Sequence, residues 1–147
     1  MAYNPNLFGA GATVANASTL YQNGQGSTLV QGAPVSLNGA GQVILTDVTD
    51  IASVQAFIGF VGTTIAASAY GSVVSTGRLT NLSGYSFVTG LPVYIGIGGI
   101  LQQTKPDYGV TSFQAGDSII FCGVIVNNTA NPSNQDLQIS IQNFGVL

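Results

Sequence analysis

The side chains able to do acid–base, nucleophilic or metal chemistry in this sequence are few: Asp47, Asp50, Asp107, Asp117, Asp136, Arg78, Lys105 and a single cysteine, Cys122, with no histidine and no glutamate. A Ser-His-Asp or Cys-His arrangement needs an imidazole to take the nucleophile's proton, so neither can form within one chain, and histidine-containing zinc sites are excluded with them. Asp47 and Asp50 in "DVTD" are spaced to share a cation, but two carboxylates are too few oxygens for a firm site, and capping a turn or a helix N-terminus accounts for them more simply. "GYSFV" (84–88) fails the G-x-S-x-G pattern of a nucleophile elbow, and the glycines between 96 and 99 do not complete G-x-G-x-x-G. No catalytic residue, metal ligand or cofactor site is expected. Cys122 lies in "SIIFCGVIV", the setting of a small buried hydrophobe, and as a lone cysteine it forms no intrachain disulfide.

The composition constrains partners. Charged residues make up 5% of the chain and the net charge is −3, against a usual share of about a quarter. Nucleic-acid binding draws its affinity from Lys and Arg neutralising phosphates, so two cations make nucleic acid a poor partner. Residues 51–77 carry no charge, but they are broken by Gln55, Thr63, Thr64, Ser68 and glycines, whereas a spanning helix needs about 20 predominantly apolar residues. No membrane association is expected. The first twenty residues show neither a basic n-region nor a continuous apolar stretch, so no secretory signal is read and synthesis and use from the cytoplasm are expected. With Asn, Gln, Ser, Thr and Gly covering the surface, copies of the chain repel one another weakly. Arg78 and Lys105, the two cations, are the places for a salt bridge across a subunit interface, but an exposed pair adds only about 0–1 kcal/mol and both read better as solvated surface.

The elements that would carry any function are strands. At 147 residues one domain with a single core is the expectation. Residues 1–29, uncharged and rich in Asn, Ala, Gly, Ser and Thr, read as an extended N-terminal arm whose Tyr3, Pro5, Leu7 and Phe8 are large enough to be worth burying against a neighbouring subunit. Residues 30–147 break into short apolar runs between turn residues, the pattern of an all-β domain, a single small barrel or sandwich. The expected strands are 35–37, 42–45, 57–65, 71–77, 85–90, 91–97, 100–104, 117–126 and 137–144. In the last, Leu137, Ile139 and Ile141 should share one half-buried face. "TDVTDIASVQAF" is the one candidate for a short helix.

The chain also repeats itself. "GAPVSLNGAGQVILT" (32–46) and "GLPVYIGIGGILQQT" (90–104) align without a gap, matching Gly32 with Gly90, Pro34 with Pro92, Val35 with Val93, Gly41 with Gly99 and Thr46 with Thr104. Further on, "FIGFVGT" (57–63) is answered by "IFCGVIV" (120–126), Gly59 by Gly123. A proline is tolerated where a strand enters a sheet, and a glycine inside a buried run permits a bulge or a close backbone approach. The expectation is two pseudo-repeated hairpins, each followed by a buried strand that carries one glycine.

In this order the elements resemble the small all-β capsid decoration, or cement, proteins of tailed bacteriophages: the Gly-x-Pro-Val hairpin, the Gly-Phe-Val strand, "GSVVSTGRL", the second hairpin "GLPVYIGIGGIL" and the closing "FCGVIV" and "LQISI". The similarity covers about residues 30–147. It implies a virion structural protein on the outer surface of the head, made in the host cytoplasm, that binds the major capsid protein, associates with itself, as a homotrimer, and stabilises contacts between capsid subunits. The arm, through Tyr3, Pro5, Leu7 and Phe8, would then order against the capsid or an adjacent protomer. A module of a tail fibre or appendage that binds a receptor or glycan through Tyr70, Tyr85, Tyr94 and Tyr108 is the alternative reading. A surface-filament subunit whose arm completes a neighbour's sheet is a third, and an enzyme is the weakest.

Overall fold

The computed structural model describes residues 17–109 and 111–147. Among these, ten strands and one short helix follow the chain: β1 (Ala17–Gln22), β2 (Pro34–Leu37), β3 (Val43–Leu45), α1 (Ile51–Gln55), β4 (Phe57–Val61), β5 (Tyr70–Thr76), β6 (Arg78–Leu82), β7 (Pro92–Gly96), β8 (Ile100–Gln102), β9 (Ser118–Asn127) and β10 (Gln135–Val146). They form two antiparallel sheets, β1-β5-β4-β2-β3 and β6-β10-β9-β7-β8. The expected all-β fold is thus observed. Each sheet is drawn from one continuous stretch of chain, and Gly77, with φ of 86°, is the single residue between the last strand of the first and the first strand of the second.

The registers of the two sheets coincide. Pro34 faces Phe60 and Val35 faces Gly59 in the first; Pro92 faces Val124 and Val93 faces Gly123 in the second. A bulge follows at once in both, after Val35 and after Val93. Both prolines are the first residues of their strands, where a missing N–H costs the ladder nothing. Gly59 and Gly123 stand at φ of 150° and 147°, and a Cβ on either would collide with a backbone carbonyl of the next strand, that of Val74 or of Gln138. Only glycine lets the neighbouring strand approach so closely while the sheet bends at the bulge.

Alternation along the strands divides the apolar residues between two cores. In the first sheet Val35, Val43, Val61, Val73, Leu29 and Ile65 line the concave interior. There β1 and β3 draw together where Asn23 bridges Val43 and the Gly24 N–H donates to the Val43 carbonyl over 2.8 Å, so the sheet curls into a half-barrel. Phe60 and Val74, on the opposite face, join Val48 and Val54 in the core of the second half, with Leu79, Val93, Ile95, Leu101, Ile120, Cys122, Ile125 and Leu137. This larger core takes residues from both halves of the chain, so burial of its apolar surface holds the sheets together.

Several expectations are corrected. Residues 17–29, read as part of the arm, belong to the sheet: β1 pairs with β5 from Ala17 to Gln22, and Leu29 is buried beside Ile65. The segment 85–90 is not a strand; Val88 spends its N–H and its carbonyl on the Gln103 side chain, over 2.7 and 2.9 Å, while Tyr85 and Phe87 stack on each other against the core. Nor do Leu137, Ile139 and Ile141 share one buried face. A register shift after Ile139 turns β10 outward, leaving Leu137 buried and Ile141 exposed. The short helix forms where expected, capped by Asp50, whose carboxylate accepts the Ala52 N–H over 3.0 Å.

Candidate functional site

Each carboxylate weighed for chemistry is used by the local backbone. Asp47 Oδ1 accepts the Thr49 N–H over 2.9 Å and its hydroxyl over 2.7 Å, and Asp50 caps α1. With Gln25, Ser53, Ile97 and Gly98 they line an open cleft of about 540 Å³, but among the described residues no three of His, Cys, Asp and Glu converge as metal ligands. Burial pushes the Cys122 thiol well above its ordinary range, which keeps it protonated and unreactive. Burial likewise raises the Tyr85 phenol, opposed in part by a hydrogen bond that its oxygen accepts from the Leu101 backbone.

The densest polar cluster serves architecture. Asp136, on β10, has a side chain 3% exposed and lies 3.6 Å from Arg78, on β6. Its Oδ1 accepts the Asn81 N–H and the Asn128 amide, each over 3.0 Å. Asn81, held at φ of 57°, takes further amide hydrogens from Asn128 and Asn134 through its own side-chain oxygen. A buried carboxylate is tolerated when its lone pairs are filled in this way, and the network pins β6 to the β9–β10 connection. Arg78, read from the sequence as solvated surface, is therefore half of an intrachain ion pair. Proximity of residues so far apart in sequence has no local signal.

What remains exposed and apolar is the material for recognition. The arm residues Tyr3, Pro5, Leu7 and Phe8 lie outside the described residues. Of the tyrosines considered for glycan binding, Tyr94 is buried and Tyr85 half-buried, whereas Tyr70 and Tyr108 are 70% and 67% exposed. They stand on separate elements, β5 and the loop after β8. The broader exposed surface lies on strands. All of β1 from Ala17 to Leu20 is exposed, as is β10 from Ser140 to Val146. β6 covers β10 only as far as Gln138, and the last bond on that side runs from the Ile139 N–H to the Gly77 carbonyl over 2.9 Å. Beyond it, Phe144 stacks on Phe121, which meets Tyr94 edge to face, both at 5.9 Å. This aromatic row runs from buried Tyr94 to exposed Phe144.

Comparison with protein-family models, with curated proteins and with solved structures finds no match. No described helix is long and apolar enough to cross a membrane. The arrangement of described residues offers extended strand edges and a nearly uncharged surface, which suit protein–protein contact through backbone hydrogen bonds and apolar side chains.

Proposed function

We propose that this chain is a virion structural protein, a capsid decoration or cement protein that sits on the outside of a phage head and ties major capsid subunits together. The resemblance of residues 30–147 supplies the role. The observation that supports it is the combination of a shared, well-filled core with exposed, uncharged strand edges at β1 and at the end of β10. Work on a capsid by such a protein is mechanical: a ligand that binds only the assembled shell shifts the assembly equilibrium toward it. The arm residues Tyr3, Pro5, Leu7 and Phe8 contribute contacts to the shell or to a neighbouring copy, and the protein acts as a homotrimer. Contacts carried by so few charges should be nearly insensitive to salt.

The same reading includes the origin of the scaffold in two copies of one β unit. Equal strand order, coincident registers and matching glycines and bulges support it. A fibre or appendage module binding a glycan is favoured by one feature, the exposed rings of Tyr70 and Tyr108.

Quantitative mass spectrometry of purified virions tests the proposal. Copies near parity with the major capsid protein, or at a simple fraction of it, support a lattice-covering cement protein. A handful of copies transfers the chain to the tail or a fibre, and absence from virions removes the virion role.

A further inference from the structure

Among the described residues, two exposed stretches have a strand partner on one side only: β1 from Ala17 to Leu20, and β10 from Ser140 to Val146. The comparison between β1 and β6, which hold the same place in their sheets, shows how unusual the first is. Thr19 faces Val73 where Leu79 faces Leu137; Leu79 and Leu82 anchor β6 in the core, while β1 buries none of its six side chains. Ordering a residue costs roughly 1–2 kcal/mol of backbone entropy, and from Ala17 to Leu20 β1 recovers it mainly with β5 hydrogen bonds, before the half-buried Tyr21 and the Gln22 side chain tie its end down. Its Leu20 pairs with Ser72 on the face that Val74 presents to the second sheet, but it lies beyond that sheet's reach and is 69% exposed. On β10, Ile141, Phe144 and Val146 are exposed at 39%, 53% and 57%.

Natural edge strands are protected by lysine, proline or inward charge. Residues 17–22 and 139–147 contain no charge and no proline; bulges after Ile139 and Asn143 are the only blunting device on β10, and they leave its apolar side chains outward. Among the described residues, each chain therefore offers one open edge along β1 and one along Ser140–Val146, both neutral, so an identical chain meets no electrostatic penalty at either. We propose that the occupant is a second copy of this chain, with β1 of one copy added to the open side of β10, Ser140–Val146, in the next. Leu20 of one copy then lies in the seam beside Ile141 of the other. Such a contact joins two different surfaces, so it leaves one bare strand at each end of a pair and is completed when a ring closes. This inference rests on the self-association included in the function proposed above and names its surfaces.

The test is the mass of the purified full chain in solution, by light scattering and analytical ultracentrifugation. Leu20→Lys and Ile141→Lys each place a charge in the seam at an exposed position; Ile100→Lys, on the β8 edge, is the control. The wild type and Ile100→Lys should be oligomers, whereas Leu20→Lys and Ile141→Lys should fall to the 14.9 kDa of one chain with unfolding midpoints unchanged. Mixing those two variants should give a one-to-one dimer, because Ile141→Lys keeps an intact β1 and Leu20→Lys an intact β10. A monomeric wild type, unchanged mass in either lysine variant, or a mixture that stays monomeric overturns the seam. A capsid-stoichiometric copy number with a monomeric protein would retain the virion role and remove the seam; an oligomer absent from virions would do the reverse.

Discussion

The two sheets share an order of strands and a register, yet their first strands are held by different means. β6 is fixed by apolar anchors and by the Asp136 network. β1 is fixed at its end, where the buried Asn23 amide donates to the carbonyls of Ser27, Ile65 and Ala66 and its oxygen accepts the Gln25 N–H over 2.7 Å. The second sheet thus completes its first strand with its own core, while the first leaves its strand open to solvent. The difference teaches that equal backbone topology does not imply equal burial: a strand's place in the ladder follows from hydrogen bonding, and its cover depends on what lies across from it.

The comparison is tested most severely at the glycines that make the sheets alike. Gly59→Ala and Gly123→Ala should each cost about 3–5 kcal/mol, combining a strained positive φ with a collision against backbone. Urea unfolding that shows either change to be neutral would mean that the close strand crossing is not required in that half. The first strands should separate next. Leu79→Ala should destabilise by about 2–5 kcal/mol, as deletion of a buried leucine does, and Thr19→Ala by less than about 0.5 kcal/mol, as at an exposed site. Comparable losses at the two positions would show that β1 is as well covered in solution as β6.

Asp136→Ala should cost about 2–3 kcal/mol, since it removes two hydrogen bonds to a buried carboxylate while Arg78, 41% exposed, can rehydrate. Its midpoint shift, set beside that of Asn23→Ala, measures how far a polar pin holds each first strand. The smallest effect concerns pH. The thiol of Cys122 is raised on folding from 9.0, so above that value the unfolded chain releases a proton the folded chain keeps. Stability falls as pH rises through this range, by up to about 1.4 kcal/mol per unit for one group, and the raised Tyr85 adds to the fall above 10.0. Cys122→Ala should flatten the unfolding midpoint between pH 9 and 10 relative to wild type, a difference readable by circular dichroism.

Much of the fold was legible where a local rule has a local cause. Pro34 and Pro92 mark strand starts because they lack an N–H, and the Asn38–Gly41 turn is visible from its turn residues; its Asn38 side chain accepts the N–H groups of Ala40 and Gln42. The carboxylates of Asp47 and Asp50 cap local structure, as their spacing suggested. Residues 85–90 misled because their apolar alternation matches a strand, while the partners of Val88 are the amide of Gln103, a side chain whose orientation no periodicity encodes. The open edges escaped notice for a related reason: the alternation in "LQISIQNF" states which residues share a face, and the bulge after Ile139 reverses it.

By itself, then, the amino-acid order determined an all-β chain, its turns, its strand entries and the glycines at its closest crossings, since those follow from φ preferences, missing N–H groups and side-chain period acting over a few residues. The tertiary structure alone decided that β1 joins a sheet, that Arg78 meets Asp136 and that the chain's own core leaves Leu20 and Ile141 uncovered. Those outcomes depend on which distant strand comes alongside and how far it extends, and burial is a property of that pairing.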